Sequence, residues 1–298
     1  MSKFHFDIFV YLLLIILSEN VDKHKYIITL KDTEDDYIKH VNSVREDFKI
    51  EAILKRRSNT VYTQGLIFSK EKDAQNITKL FLYESGGLYG ESSLKKYEYP
   101  FLYEVKEYLL PKKNFAEGIA ICKASNKLYQ LTYKEREILI YSYPQMNYLN
   151  TIPMNPELRE GWGFSQGENS NELYATDGTN QIFVLNCEKE KLEIKTIISV
   201  TYNEKNITFL NDLVYAKGYI WCNRYFDSII MKIDVKTGKI IKIYDMSPLF
   251  EYEKEYYNMN HQRWNKGDVL NGITYNENDD TFILTGKLWN NYYVVKFN

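Results

Sequence analysis

The sequence is poor in the residues that build metal centres and disulfide frameworks. Among 298 residues there are only four histidines and three cysteines. Three of the histidines precede residue 41, and zinc sites usually need three or four His, Cys or carboxylate ligands, so a histidine-built metal centre in the main body of the chain is nearly excluded. The cysteines, Cys122, Cys187 and Cys222, are odd in number and widely spaced. We expect them to be small buried apolar residues rather than a disulfide or a metal site.

The chain also lacks an excess of positive charge. Lysine and arginine total 38 against 40 aspartate and glutamate, a formal net charge of −2. Proteins that bind nucleic acid need a positive field to attract phosphate, and no lysine- or arginine-rich run is interleaved with stacking aromatic residues here. We therefore expect no nucleic-acid partner.

The apolar run near the N-terminus is too short to span a bilayer comfortably. It covers residues 8–17, ten residues that follow Lys3, and this length suits the hydrophobic region of a secretory signal. We expect residues 1–17 to be a signal peptide or a membrane anchor, so that the protein enters the secretory pathway and is secreted or membrane-anchored; a misread start of the chain is the alternative. Residues 18–46 then form a charged N-terminal extension, and residues 47–298 form one folded domain.

Segments with a helical period are nearly absent, and the many Tyr, Ile and Val residues favour strands. What the sequence has instead is a repeat. Five times, a lead residue opens an apolar run that is followed by an aromatic-rich run and a third apolar run. The lead residues are Gln64, Glu117, Trp162, Asn211 and Asn271. They are separated by 53, 45, 49 and 60 positions, which is typical of a repeat protein with several short strands in each repeat.

Repeats of this size predict an all-β fold, a five-bladed β-propeller. A blade needs four strands, and a fourth strand-like run follows the third in the first four repeats. The last repeat ends at Asn298 without one. An unused strand-like run, residues 48–54, precedes the first repeat, and we predict that it closes the ring as the outer strand of the last blade.

In such a ring the innermost strands begin at the central channel, so the five lead residues should converge at one mouth of it. Tyr133, Tyr225 and Lys287 lie near the ends of the second runs and add to this set. A carboxylate and an ammonium beside amide groups and aromatic rings are the composition of a small polar pocket. A second interpretation is open, because amides and carboxylates at strand starts also cap turns or bond to one another.

Eight ordered motifs carry a resemblance to a known family. They are Y-T-Q-G-L (62–66), Y-E-S-G-G-L-Y-G-E-S-S-L (83–94), F-A-E-G-I (115–119), L-Y-Q-L-T-Y (128–133), G-W-G-F-S (161–165), L-N-D-L (210–213), L-N-G-I (270–273) and L-T-G-K-L-W (284–289). From about residue 50 to residue 295 the chain resembles the plant and bacterial type of glutaminyl-peptide cyclotransferase, or glutaminyl cyclase. The resemblance implies a five-bladed propeller that converts the N-terminal glutamine of peptides and proteins to pyroglutamate, releases ammonia and uses no catalytic zinc. We expect a monomer.

The resemblance also implies roles for individual residues. Glu117 matches the acid/base carboxylate of the family, and Gln64, Asn211 and Lys287 match its other catalytic polar residues. The expected substrate-binding residues are Tyr62, Phe115, Tyr133, Trp162, Tyr225 and Asn271. Tyrosine stands at 62 where phenylalanine is usual, and at 133 and near 225 where tryptophan is usual. Asp212 replaces a glutamate, so the shape of the pocket and its substrate preference can differ from those of the family.

Two other classes of function stay open. A non-catalytic propeller could bind a peptide or a glycan through its channel without needing Glu117 beside Lys287. A lactonase or hydrolase propeller could hold calcium among the oxygens of Asn211, Asn271 and Glu117. We expect no cofactor for catalysis, while a structural calcium ion in the channel stays open. The segment 250–268, which carries His261 and Trp264, is expected to be a solvated insertion.

Overall fold

The computed structural model describes residues 38–44, 47–57, 61–188, 191–259 and 267–298. The predicted signal segment and most of the predicted extension lie outside the described residues. Within the described ranges the protein forms 23 strands and one helix, and that helix is neither long nor apolar enough to cross a membrane.

The strands follow the predicted repeats. The chain begins with β1 (Ile38–Val44) and β2 (Phe48–Lys55). Blade 1 contains β3 (Thr63–Lys72), β4 (Thr78–Gly86), β5 (Ser93–Glu98) and β6 (Tyr103–Leu109). Blade 2 contains β7 (Ala116–Cys122), β8 (Lys127–Thr132), β9 (Glu137–Ser142) and β10 (Tyr148–Pro153). Blade 3 contains β11 (Phe164–Gln166), β12 (Glu172–Thr176), β13 (Gln181–Asn186) and β14 (Glu193–Ser199).

A small hairpin of β15 (Thr201–Tyr202) and β16 (Lys205–Asn206) leads to blade 4. Blade 4 contains β17 (Leu210–Ala216), β18 (Tyr219–Arg224), β19 (Ile229–Asp234) and β20 (Ile240–Asp245). The helix α1 (Ser247–Met259) follows, and the chain ends with β21 (Leu270–Asn276), β22 (Thr281–Gly286) and β23 (Asn291–Phe297). Blades 1 to 4 are four-stranded antiparallel sheets, so the predicted five-bladed propeller is confirmed.

The ring is closed by an N-terminal strand, as predicted. β2 pairs antiparallel with β23, from Phe48 opposite Phe297 to Lys55 opposite Asn291. The free edge of β2 then pairs with β1, so the last blade has five strands in the order β1-β2-β23-β22-β21. The sequence analysis did not predict β1, which lies in the segment assigned to the extension.

Glycine after the lead residue lets the innermost strands approach each other. A Cβ atom on Gly118 would collide with the backbone of Phe164 in the next blade, and one on Gly163 would collide with the carbonyl of Asn211. With glycine at this position, the strands come close enough for the Gly118 amide to donate a hydrogen bond of 2.7 Å to the Trp162 carbonyl. Neighbouring blades therefore meet backbone to backbone at the channel, which brings their lead residues together.

Each seam between neighbouring blades holds one apolar cluster. At the closing seam, Leu54 and Tyr292 of the last blade pack against Leu82 and Tyr97 of blade 1. Burying a large apolar side chain stabilises a fold by about 1.5–3 kcal/mol, so the ring is held by its seams rather than by one central core.

The expectation for the cysteines is wrong for two of the three. Cys122 and Cys187 form a disulfide with their Cα atoms 6.1 Å apart. Cys122 ends β7, and Cys187 follows β13, so the seam between blades 2 and 3 brings together residues that lie 65 positions apart in the sequence. Spacing along the chain cannot reveal a contact made by blade packing. Cys222 is a free, buried thiol, as expected.

The expectation of a solvated insertion at 250–268 is wrong for its first part, which belongs to α1. Glu253 of this helix is fully buried. Its carboxylate accepts hydrogen bonds from the Tyr293 hydroxyl at 2.8 Å, the Asn291 side-chain amide at 2.6 Å and the Asn290 backbone amide at 3.0 Å. The helix is thus docked on the last blade. His261 and Trp264 lie outside the described residues.

Candidate active site

A cavity of about 140 Å³ lies where the innermost strands begin. Nine of the ten site residues predicted from the sequence line it. They are Tyr62, Gln64, Phe115, Glu117, Tyr133, Trp162, Asn211, Tyr225 and Lys287. The volume is well above the roughly 10–15 Å³ that one water requires, so the cavity can admit a small side chain.

Asn271, the tenth predicted residue, does not line the cavity. Its side chain is fully buried, and its amide nitrogen donates to the Gln64 side-chain oxygen at 3.2 Å and to the Thr63 carbonyl at 2.8 Å. The expected contact of Asn271 with a substrate stays a prediction. Asn271 orients Gln64 from behind.

The polar residues form the floor of the cavity. Gln64, Glu117, Asn211 and Lys287 are only 2–6% exposed. The first three are lead residues on the innermost strands, whereas Lys287 directly follows β22 and forms an isolated antiparallel bridge with Tyr62. That bridge joins the last blade to blade 1 at the floor, which explains how a residue from a second strand reaches the same place.

Aromatic rings form the walls. Phe115 meets Tyr62 edge-on at 6.2 Å between ring centroids and lies 5.8 Å from Tyr133, and Trp162 meets Tyr225 edge-on at 5.6 Å. The Lys287 ammonium lies 4.9 Å from the Tyr62 ring and 4.6 Å from the Tyr225 ring. Such contacts stabilise a cation electrostatically, and they hold the ammonium at the floor.

The floor contains two groups whose pKa values are displaced toward neutrality. Burial raises the pKa of Glu117 well above its usual range, Lys287 opposes the rise, and Glu160, Glu135 and Asp212 add to it. Burial lowers the pKa of Lys287 to about 8, against the attraction of Glu117 and Asp212. Displaced pKa values of this kind are typical of acid/base residues in active sites.

Asp212 stands where the other four blades have glycine after the lead residue. It is fully buried, and the Ile273 backbone amide donates to its Oδ2 at 2.9 Å. Burial raises the pKa of this carboxyl well above its usual range, while the backbone amides of Ile273, Leu213 and Leu66 oppose the rise. The hydrogen bond from Ile273 links this carboxyl of blade 4 to the innermost strand of blade 5.

Sequence reasoning missed two acidic residues beside the walls. Glu160 accepts a hydrogen bond from the Trp162 indole at 3.3 Å, and Glu135 accepts from the Phe115 backbone amide at 3.2 Å and from the Tyr89 hydroxyl at 3.0 Å. Glu160 lies in the connection between blades 2 and 3, and Glu135 lies two residues after Tyr133 in the connection between β8 and β9. The only signal for Glu160 was its position directly before the Gly161-Trp162 motif.

Within the described part of the chain, no group of three or more His, Cys, Asp or Glu residues is placed to hold a metal ion. The side-chain oxygens of Asn211 and Asn271 are buried there without a hydrogen-bond partner.

Comparison with known proteins identifies the family. The sequence profile described as glutamine cyclotransferase matches residues 33–297. The chain belongs to the glutamine cyclotransferase family. The glutaminyl-peptide cyclotransferase of Arabidopsis thaliana is 29% identical to it over 238 residues, which cover 79% of this chain and 67% of that protein. The crystal structure of Myxococcus xanthus glutaminyl cyclase matches in fold with a TM-score of 0.70 and 24% identity, over 84% of this chain and 96% of that chain.

In this member of the glutamine cyclotransferase family, tyrosines occupy three of the five wall positions. Burial raises the pKa of Tyr62, as do its neighbour Tyr225 and the Glu117 charge. Its hydroxyl therefore stays protonated near neutral pH and can donate a hydrogen bond. The cavity thus brings together a carboxyl group and an ammonium group with displaced pKa values, amide side chains, and aromatic walls whose tyrosine hydroxyls can donate hydrogen bonds.

Proposed function

We propose that this protein is a glutaminyl-peptide cyclotransferase, which converts the N-terminal glutamine of peptides and proteins to pyroglutamate and releases ammonia. Membership of the glutamine cyclotransferase family supports the assignment. The observation that carries it is the convergence of Glu117 and Lys287 with Gln64 and Asn211 in one buried floor beneath aromatic walls.

The reaction needs few catalytic groups because both reactants belong to one residue. The α-amine nitrogen forms a bond to the side-chain carbonyl carbon of the same glutamine, and the bond from that carbon to the amide nitrogen breaks. An enzyme gains rate here mainly by holding the side chain in the attack conformation. Aromatic walls on both sides of the cavity suit that task, since they restrict the torsions of a bound side chain.

Glu117 is the proposed acid/base residue. The α-ammonium must lose a proton before it attacks, and the departing amide nitrogen must gain one to leave as ammonia. One carboxylate within reach of both nitrogens can carry this proton, first as base and then as acid. Burial raises the pKa of Glu117 above its usual range, which makes the carboxylate a stronger base toward the α-ammonium than an exposed carboxylate is.

Lys287, Asn211 and Gln64 are the proposed groups that stabilise the oxyanion and orient the substrate. The carbonyl oxygen gains charge as its carbon becomes tetrahedral, and buried donors stabilise such charge more strongly than water-exposed donors do. Lys287 is held between two aromatic rings, so its ammonium is pre-positioned. Tyr62 and the other wall residues are proposed to bind the glutamine side chain.

The direct test is incubation of the purified full chain with peptides that begin with glutamine, followed by mass spectrometry. We expect each peptide to lose the mass of one ammonia, and a peptide with an acetylated N-terminus to remain unchanged because its nitrogen is no longer nucleophilic. No loss across a range of glutamine-initiated peptides would overturn the proposal and favour a propeller that only binds peptides or glycans.

We also propose that the protein enters the secretory pathway, through the apolar segment 8–17, as a secreted or membrane-anchored enzyme. The disulfide between Cys122 and Cys187 supports this, because disulfides persist in oxidising compartments and are rare in the cytosol. Thiol alkylation of protein isolated from its native cells is expected to label Cys222 alone after denaturation. Labelling of all three cysteines would contradict the proposal.

A further inference from the structure

Two exposed phenylalanines extend the aromatic wall of the cavity outward. Phe226 is 63% exposed and Phe209 is 43% exposed. The Phe226 ring lies 3.9 Å from the ring of Tyr225, a wall residue, and 6.4 Å from the ring of Phe209. We call Phe209 and Phe226 the aromatic ledge. Through the contact between Phe226 and Tyr225, it adjoins the wall formed by Trp162 and Tyr225.

The ledge residues are held in a backbone conformation that bulky side chains avoid. The φ angle is +65° at Phe209 and +70° at Phe226, in the left-handed region that glycine and asparagine favour. Leu88 and Leu288 adopt the same conformation at the position of Phe226 in the corresponding connections of blades 1 and 5, so this backbone is a turn that recurs in the repeats. What distinguishes the ledge is that two large aromatic side chains remain exposed there.

The surrounding contacts fix the ledge in place. The Tyr225 backbone amide donates to the Phe209 carbonyl at 2.8 Å. The Arg224 guanidinium lies 5.8 Å from the Phe209 ring centroid, donates to the Thr208 carbonyl at 3.0 Å and forms an ion pair with Asp227. The ledge is therefore a preformed apolar surface whose orientation is tied to the same segment that supplies the wall residue Tyr225.

A substrate must cross the mouth of the cavity. Only the first residue of a peptide reacts, so that residue occupies the floor of the cavity and the rest of the peptide extends away from it. The backbone therefore leaves through the mouth, where the side chain of the second residue comes next to the rim. The ledge continues the wall at the rim, so a large apolar side chain there would cover both rings.

We propose that Phe209 and Phe226 form the subsite for the second residue of the peptide substrate and favour an aromatic or large aliphatic side chain over glycine. This inference rests on the proposed cyclotransferase function. Offset and edge-on contacts between aromatic rings stabilise a bound side chain beyond the gain from area burial. We expect this additional binding free energy to change kcat/KM by about 3- to 10-fold between peptides that differ only at the second residue.

The test compares three peptides that differ only at their second residue, Gln-Phe, Gln-Leu and Gln-Gly, with the parent protein and three variants. In the parent, kcat/KM is expected to be about 3- to 10-fold higher for Gln-Phe than for Gln-Gly. Phe226→Ala and Phe209→Ser are expected to lower kcat/KM for Gln-Phe toward that for Gln-Gly, mainly through KM, and to leave Gln-Gly unchanged. Phe226→Trp is expected to preserve the preference.

Ile77→Ala is the matched control. Ile77 is 59% exposed and lies in the turn after β3, at the opposite end of that strand from Gln64, so its removal should change no ratio. Equal kcat/KM for the three peptides in the parent, or an equal loss for all three in Phe226→Ala, would overturn the ledge as a subsite. Absence of cyclisation of every peptide by the parent would overturn the proposed function, and the subsite with it.

Discussion

At the scale of single residues, the site depends on two charged groups that modify each other. Glu117 and Lys287 are both buried, and burial favours the neutral form of each, while their mutual attraction favours the charged forms. The other side chains that line the cavity are aromatic rings and amides, which carry no charge. The account therefore predicts that the pH dependence of the reaction belongs to this pair.

Lys287→Met provides the first check. Lys287 lowers the pKa of Glu117, so its removal should raise that pKa further and move the acidic limb of the kcat/KM profile to higher pH. The contribution of Lys287 to the basic limb, at its pKa of about 8, should disappear, which leaves the contribution of the substrate α-ammonium. The overall rate should fall about 10- to 1000-fold with the loss of an oxyanion donor.

The matched control for that change is Lys134→Met. Lys134 is exposed and lies 5.0 Å from the Tyr133 ring at the rim, so its loss should leave both limbs in place. An acidic limb that moves to lower pH in Lys287→Met would contradict the assignment.

The residues at the floor could be predicted because each one stands at a fixed position in a repeat or a family motif. Glu117 and Asn211 are lead residues, and Lys287 belongs to the L-T-G-K-L-W motif. Glu160 and Phe209 could not be predicted, since they lie in connections between blades, whose lengths differ. Glu135 and Phe226 follow Tyr133 and Tyr225 in the connections after the second strands of blades 2 and 4, and no repeat or family motif marks them.

At the scale of strands, the closing blade is the part of the fold most open to test. β2 covers the edge of β23, and just beyond β2 the Arg56 guanidinium forms a buried pair with Glu84 of blade 1, with nitrogen to oxygen distances of 2.7 and 2.8 Å. Glu84 also accepts from Thr63 at 2.6 Å. β2 therefore covers the edge of β23, and Arg56, directly after β2, pairs with the fully buried carboxylate of Glu84.

Two truncations test the joint contribution of β2 and Arg56. Removal of residues 1–46 leaves β2 in place, so we expect a single cooperative unfolding transition with a modest decrease in Tm. Removal of residues 1–59 exposes the edge of β23 and leaves Glu84 unpaired, a change that costs about 3–5 kcal/mol for a buried pair. We expect aggregation or loss of the cooperative transition in calorimetry. Equal melting of the two proteins would refute the closure.

The regular strands could be predicted because their runs align across five repeats. Three features could not be predicted in this way. β1 has no counterpart in the other blades, α1 is inserted only once, and the disulfide joins Cys122 to Cys187 across a seam. A repeat pattern predicts the strands that recur in every blade. It does not predict elements that occur once, or contacts that form when blades pack together.

At the scale of the whole molecule, five blades deliver side chains from different parts of the chain to one floor. Gln64 and Lys287 lie 223 positions apart in the sequence and line the same cavity. Ring closure and site assembly are therefore linked, because the bridge between Tyr62 and Lys287 crosses the closing seam. An open ring should lose activity as well as stability.

Metal independence is a property of the whole molecule that the account also predicts. Glu117 can carry the proton and Lys287 can stabilise the developing charge, so phenanthroline should leave the rate unchanged while the protein stays folded. A rate that is lost and then restored specifically by zinc would count against this mechanism. A calcium chelator that lowers Tm and activity together would indicate a structural ion near the buried oxygens of Asn211 and Asn271.

The central claim, that Glu117 transfers the proton, is tested most directly by Glu117→Gln. Glutamine keeps the volume and the hydrogen bonding but cannot accept the α-ammonium proton, so kcat should fall by about 10² to 10⁴. The pKa of Glu117 is raised in the folded protein, so ionisation of this carboxyl opposes folding as pH rises from the unfolded value through the folded one. The variant should therefore be at least as stable as the parent at pH 8.

The matched control is Glu160→Gln, which removes a neighbouring acidic group that raises the pKa of Glu117. It should move the acidic limb to lower pH and keep most of the maximal rate. The measurement is kcat on one glutamine-initiated peptide, with Tm recorded for each protein. The account predicts a folded Glu117→Gln protein with a rate lower by at least about 100-fold, and a folded Glu117→Gln protein that cyclises at near the parental rate would contradict it.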